Sequence, residues 1–219
     1  MTQHVYDWKI NLDPRSLNYK IAKRYTALKQ RSRMWKRDTW LDQGQEGACT
    51  GFGGGHAMAT TPRRHKPQVT NEDARGYYHG AQRNDEWPGE NYSGSSVTGL
   101  MKYLKSIGLV LTYLWATTMD ELIHAVGYLG PVVIGVDWYE GMEDVDADGF
   151  IHKTGAKVGG HCLLIGGVDI KKQAFFLYNS WGKDWGVQGG CWISFADMAA
   201  LMADGGEFAV ITKAKPVAA

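Results

Sequence analysis

Cys49 has an odd setting for a structural cysteine. It lies between the turn-forming run Asp42-Gln43-Gly44-Gln45-Glu46-Gly47 and the glycine-laden stretch Gly51-Phe52-Gly53-Gly54-Gly55-His56. A free thiol with a pKa near 8.5 is only a few per cent thiolate at neutral pH, so a nucleophilic cysteine needs help from its surroundings. A helix starting at Cys49 would favour the anion through its dipole, and an imidazolium beside it would bring a thiol down to about 3–4. His161 heads the apolar run Cys162-Leu163-Leu164-Ile165. An imidazole there could protonate a departing amine and then activate water. Taken alone, though, a histidine at the head of a strand is usually structural, and an asparagine before a tryptophan, as in Asn179-Ser180-Trp181, is usually a turn residue.

The elements around these residues must bring them together. Cys49 to about Thr61 reads as a helix ended by Pro62. Its glycines would each cost about 0.8–1 kcal/mol relative to Ala in a helix interior, so its stability must be tertiary, as a buried helix wedged between two lobes. His56 lies about two turns below Cys49, roughly 10 Å away at 1.5 Å per residue, and is read as structural. Ser95 or Ser96 can cap a helix from Val97 to Ile107 that ends at Gly108, and Thr118 with Glu121 suits a capping box for a helix to about Leu129. After Gly130-Pro131 the chain turns to short β-rich runs: PVVIGVDW, HCLLIGGVDI, AFFLYNSW, GGCWISF and EFAVITKA. Helices first and strands afterwards make an α+β layout with a cleft between the halves. Residues 1–40 read as irregular, with Asp13-Pro14-Arg15 breaking any helix.

The stretch NSWGKDWGVQGG, Asn179 to Gly190, is similar to the asparagine motif NSWG-x-x-WG-x-x-G of papain-like cysteine peptidases. DQGQEGAC resembles the same family's cysteine motif, with Gln43 six residues before Cys49, and GGHCLLIGGVD its histidine strand. The order Cys49, His161, Asn179 is the one that family requires. The resemblance implies a papain-like two-lobed fold, a helical lobe against an antiparallel β-barrel-like lobe, with the active site in the cleft. A single domain would span residues 1–219: a basic N-terminal arm over 1–40, a helical lobe over about 41–115 and a β-rich lobe over about 116–219.

By the same resemblance, Cys49, His161 and Asn179 form a catalytic triad, and Gln43 is an oxyanion-hole donor beside the backbone N–H of Cys49. Trp181 would shield the His161–Asn179 contact from water. Gly94-Ser95-Ser96 would pair with an extended substrate, and Gly135 and Cys162 would wall a specificity pocket with room for a bulky apolar or aromatic side chain. The implied activity is that of a thiol endopeptidase acting on a polypeptide through an acyl-enzyme. An acyl or peptidyl transferase with the same triad, or a non-catalytic papain-fold module, are the alternatives.

Some positions depart from the family pattern. Glu46 stands where the family often has a cysteine, Thr50 follows Cys49 where tryptophan is usual, and Gly160 precedes His161 where the plant enzymes commonly carry aspartate. The spacings from Cys49, 112 residues to His161 and 130 to Asn179, imply a compact microbial or viral type with short loops.

Bulk properties exclude little. A hydrophobic content of 44% and a charged content of 21% suit a soluble globular chain, and a net charge of +1 favours no partner. From Pro14 to Arg37 there are nine Lys or Arg and no Asp or Glu. That arm is expected to be solvated and partly extended, with an anionic partner such as nucleic acid as the rival reading. It could wrap the second lobe permanently or act as a removable cover. Three cysteines are too few for a disulfide scaffold; with no signal segment and no membrane-length apolar run, a cytoplasmic or virion-associated monomer is expected. The run Asp144-Val145-Asp146-Ala147-Asp148-Gly149 resembles the opening of a calcium loop, but position twelve is Gly155, so an acidic hairpin turn is expected. No zinc spacing or phosphate loop occurs, and no metal or cofactor is expected.

Overall fold

The computed structural model describes residues 4–11, 13–21, 26–63, 68–88 and 91–214. Its first long helix, α1 (Cys49–Ala59), is buried at every residue. The glycines make that possible. A Cβ on Gly51 would run into the backbone oxygen of Ala74 and nitrogen of Tyr78, and one on Gly53 would lie 2.7 Å from Cys162 Sγ. Both neighbours close in because the helix has no side chains there.

Helix α2 (Asn71–Gln82) opens on a reciprocal cap: Asp73 N–H donates to Thr70 Oγ1, and Thr70 N–H to the Asp73 carboxylate. Helix α3 (Val97–Ser106) starts at Ser96, whose hydroxyl accepts from Gly99 N–H at 2.9 Å. Helix α4 (Met119–His124) is capped by Thr118 and runs on as π-helical turns over Ala125–Leu129. Its Glu121 carboxylate takes the N–H of Thr117, one residue before the cap, so the anticipated box is shifted. Helix α5 (Phe195–Ala203) is capped by Ser194.

The strands are β1 (Arg33–Met34), β2 (Val110–Trp115), β3 (Val132–Tyr139), β4 (Phe150–Ile151), β5 (Lys157–Asp169), β6 (Ala174–Tyr178), β7 (Gly190–Ser194) and β8 (Glu207–Ala214). They form one sheet in the order β2-β8-β3-β5-β6-β7-β4, antiparallel except for β4 beside β7, with β1 added on β5. The central strands are buried on both faces. Val132, Ile134, Val136 and Trp138 of β3 join Leu163 and Ile165 of β5 in a core shared with α4 and α5. Val133, Cys162 and Leu164 face the other way, into a core built with α1, α2 and α3. Strand alternation thus feeds two cores from one sheet, and the cleft opens where they meet.

The basic arm docks on the fold at a few points, while most of its described residues, 18–20 and 27–34 among them, stay exposed. Trp35 is buried and donates to Val126 O at 2.7 Å, Arg31 Nε donates to Gly127 O at 2.8 Å, and β1 pairs with β5. Guanidinium groups of Arg31, Arg33 and Arg37 lie over Tyr128, Trp35 and Tyr178, so the cations spread their apolar faces on aromatic rings. Pro14 does not block a helix: a 3-10 helix runs over Pro14–Tyr19, with proline at the first position, where its missing N–H has no helical partner. Lys23 and Arg24 lie outside the described residues. Among the described residues, no helix is long and apolar enough to cross a membrane.

Candidate active site

Cys49 is the first residue of α1, so its sulfur sits at the positive end of the helix. Its thiol lies close to Cys162, and the residue before Cys162 is His161. His161 thus sits on β5, the strand that packs against α1 at Gly53. His161 Nε2 is 2.8 Å from Asn179 Oδ1, and Ser180 N–H also donates to that oxygen at 2.8 Å. Because a backbone N–H can only donate, this second bond fixes which end of the Asn179 amide faces the ring. Nε2 then carries the proton, and Nδ1 is left as the base. Nδ1 is buried and has no hydrogen-bond partner among the described residues. Trp181 stacks on His161 with ring centroids 5.0 Å apart, covering the His161–Asn179 contact.

Gln43 is buried, and its turn is tied to the asparagine motif by Gln43 N–H donating to Ser180 O at 2.9 Å. Its side-chain Nε2 donates to Glu46 O at 3.0 Å and to Val5 O at 3.3 Å. The anticipated oxyanion donor thus already holds a peptide carbonyl, and it belongs to this chain.

The cleft is filled by residues 4–9. They run extended, with alternate rings turned inward. His4 stacks on Trp181 at 3.7 Å between centroids, Tyr6 meets His161 and Trp181 edge-on, and Trp8 is buried. Trp8 N–H donates to Gly160 O at 2.7 Å and Lys9 N–H to Ser95 O at 3.0 Å, and Trp8 bridges Ser95 in parallel. The chain's own Trp8 and Lys9 thus pair with the edge at Ser95. Gly94, at φ +91°, lets the Asp7 carbonyl approach where a Cβ would collide with it. The Trp8 indole occupies the space a Cβ on Gly135 would need, and Cys162 packs in the same cluster. At the end of this pocket Trp8 Nε1 donates to Glu207 Oε2 at 2.9 Å. The buried Glu207 carboxylate also accepts from Val97 N–H, Thr98 N–H and Thr98 Oγ1.

This filling reverses the expected electrostatics. Burial pushes the Cys49 thiol up to about 11, although backbone hydrogen bonds at Asp7 and Cys162 pull it down. Burial likewise takes His161 down to about 4, against its bond to Asn179. Burial therefore opposes the charged form of both groups and works against the expected ion pair. Burial also raises Cys162 and Cys191, and all three cysteines are free.

His4, Tyr6, Trp8 and Glu207 were not anticipated from sequence. The aromatic alternation at positions 4, 6 and 8 was a period-two signal inside a stretch that looked merely polar. At the acidic run, Asp146 folds its own turn: its carboxylate accepts from Asp148 and Phe150 N–H and meets His152 Nε2 at 2.7 Å. Glu46 pairs with Arg75 Nε at 2.8 Å.

The two-layered helical side, the eight-stranded sheet and this cleft make the fold that of the papain-like cysteine peptidases. The chain superimposes on xylellain, a cysteine protease from Xylella fastidiosa, with TM-score 0.59 and 18% identity over 97% of this chain and 96% of that one. Against the bromelain protease of Ananas comosus the TM-score is 0.60 at 16% identity, over 84% of this chain and 99% of that one. In sequence, 62 residues are 37% identical to a cathepsin B-like cysteine proteinase of Schistosoma japonicum; they span 27% of this chain and 18% of that relative. No family model matches the chain.

Proposed function

We propose that the chain is a thiol endopeptidase whose cleft is held closed by its own residues 4–9. The carrying observation is the oriented His161–Asn179 pair, on a strand packed against the helix that begins at Cys49. With the strap withdrawn, water and substrate enter, and His161 Nδ1 takes the thiol proton. Cys49 Sγ attacks the scissile carbonyl carbon, and Gln43 Nε2 with the Cys49 N–H receives the developing oxyanion. The C–N bond breaks as His161 returns its proton to the departing amine, leaving a thioester. Water then attacks that thioester with His161 as base, and the acid product leaves with Cys49 restored.

In this reading Gly94 and Ser95 bind the substrate backbone, Gly135, Cys162 and Glu207 receive one side chain, and Trp181 roofs the imidazole. The strap is seated in the cleft by the Trp8 and Lys9 backbone bonds to Gly160 and Ser95, with Asp7 close to the sulfur. The test is hydrolysis of an unfolded protein substrate by the full chain and by Trp8→Ala, each with Cys49→Ala as the control. Thiol-dependent cleavage that rises in Trp8→Ala supports the reading; no cleavage by either leaves a non-catalytic module. Products capped by an added amine in place of water would identify a transferase.

A further inference from the structure

His56 is a buried titratable group that the chemistry above does not use. It lies on α1, the helix that carries Cys49, and reaches across to the other lobe. Its Nε2 is 3.1 Å from the backbone oxygen of Asn179. That oxygen can only accept, so Nε2 carries the proton; Nδ1 has no partner among the described residues. The N–H of the same peptide unit is Ser180 N–H, which donates to Asn179 Oδ1 at 2.8 Å. That oxygen receives His161 Nε2. The other side of Asn179 is held by its N–H donating to Gly189 O at 3.0 Å. One peptide plane therefore has His56 on its carbonyl and the Asn179 side chain on its N–H.

We propose that His56 is a positioning residue: it holds the 179–180 peptide plane, which sets the Asn179 amide and so the ring of His161, against the cysteine on its own helix. This rests on the peptidase reading above and adds a part to it. The group must stay neutral to serve as a fixed donor with one tautomer. Burial holds it to about 3, and the Arg37 guanidinium on the arm adds to that.

Two measurements test it. In the wild-type chain, imidazole 15N NMR reports the tautomer of His56 directly and the titration of His161. His56 protonated at Nε2 is expected; protonation at Nδ1 overturns the proposal, whether or not the chain cleaves peptides. In the Trp8→Ala background, His56→Met removes the donor and His56→Gln keeps an N–H near the same reach. The expected result for His56→Met is kcat lowered about 10- to 100-fold with KM within about twofold, and a shifted acid limb of the pH–rate profile. His56→Gln should recover kcat to within about threefold. A folded His56→Met with unchanged kcat and an unchanged His161 titration overturns the proposal, as does a folded His56→Gln that is no better than His56→Met. A background with no hydrolysis would count against the peptidase reading alone, and the NMR result would still decide the role of His56.

Discussion

Trp8 gives its indole N–H to Glu207 at 2.9 Å, so a ring near the start of the chain is bound to a carboxylate at the head of the last strand, β8. This contact anchors the strap. Trp8→Ala removes a buried ring, a change that typically costs about 3–5 kcal/mol when the site cannot collapse. Here much of that loss falls on the closed strap. Iodoacetamide at about pH 5.5 should label Cys49 at least about tenfold faster in Trp8→Ala than in the wild-type chain, since about 1.4 kcal/mol of lost closure already gives that factor. Peptide mass spectrometry reads it. Equal slow labelling of both forms would reject the strap as the barrier.

In the proposed reaction Gln43 contributes more to the oxyanion than to the fold. Gln43→Ala in the uncovered protein should lower kcat by about 10²–10³, equivalent to about 2.7–4 kcal/mol of lost oxyanion stabilisation. Steady-state kinetics beside a urea melt would separate this from simple destabilisation.

Acid should unfold the chain from within. His56 at about 3 and His161 at about 4 both lie below the ordinary histidine value, so the unfolded chain binds protons first. Their stabilisation is complete above about pH 6.5 and drains away as pH falls toward 4 and then 3. Glu207 acts in the opposite sense: burial raises it to about 7, so its penalty is relieved as pH falls from 7 through 4.5. Urea melts at pH 7 and pH 5 should therefore show a loss of stability that is larger in Glu207→Gln, where the opposing group is gone.

Two glycines in helices should respond with opposite signs. Gly76, exposed inside α2, has nothing within 4 Å of a Cβ, and Gly76→Ala should stabilise by about 0.8–1 kcal/mol. Gly53→Ala would press a methyl on Cys162 Sγ, and should destabilise by about 1–3 kcal/mol. Thermal melts of the two variants check both signs.

Much of the scaffold was readable because its signals are local. The caps at Ser96 and Thr118, the glycine after α3 and the five β-rich runs each need only a few neighbouring residues. Helix α2 was missed because its buried face is little more than Ala74, Tyr78 and Ala81 in a polar run broken by Gly76 and Gly80. In the site, the types and order of Cys49, His161 and Asn179 were visible as a motif, whereas the ionisation of Cys49 was not. That property depends on what fills the cleft, and the filler is a strap whose partners lie as far along the chain as Glu207. Long-range pairing of that kind leaves no periodic trace.

The Glu46–Arg75 pair joins the loop ahead of Cys49 to α2 by a charged, half-exposed hydrogen bond, where the family often has a cysteine. Such a clasp responds to ionic strength and not to electron donors. Reductant strong enough to keep Cys49 as a free sulfhydryl will therefore leave this clasp untouched, while concentrated salt will loosen it with the sulfur chemistry unchanged.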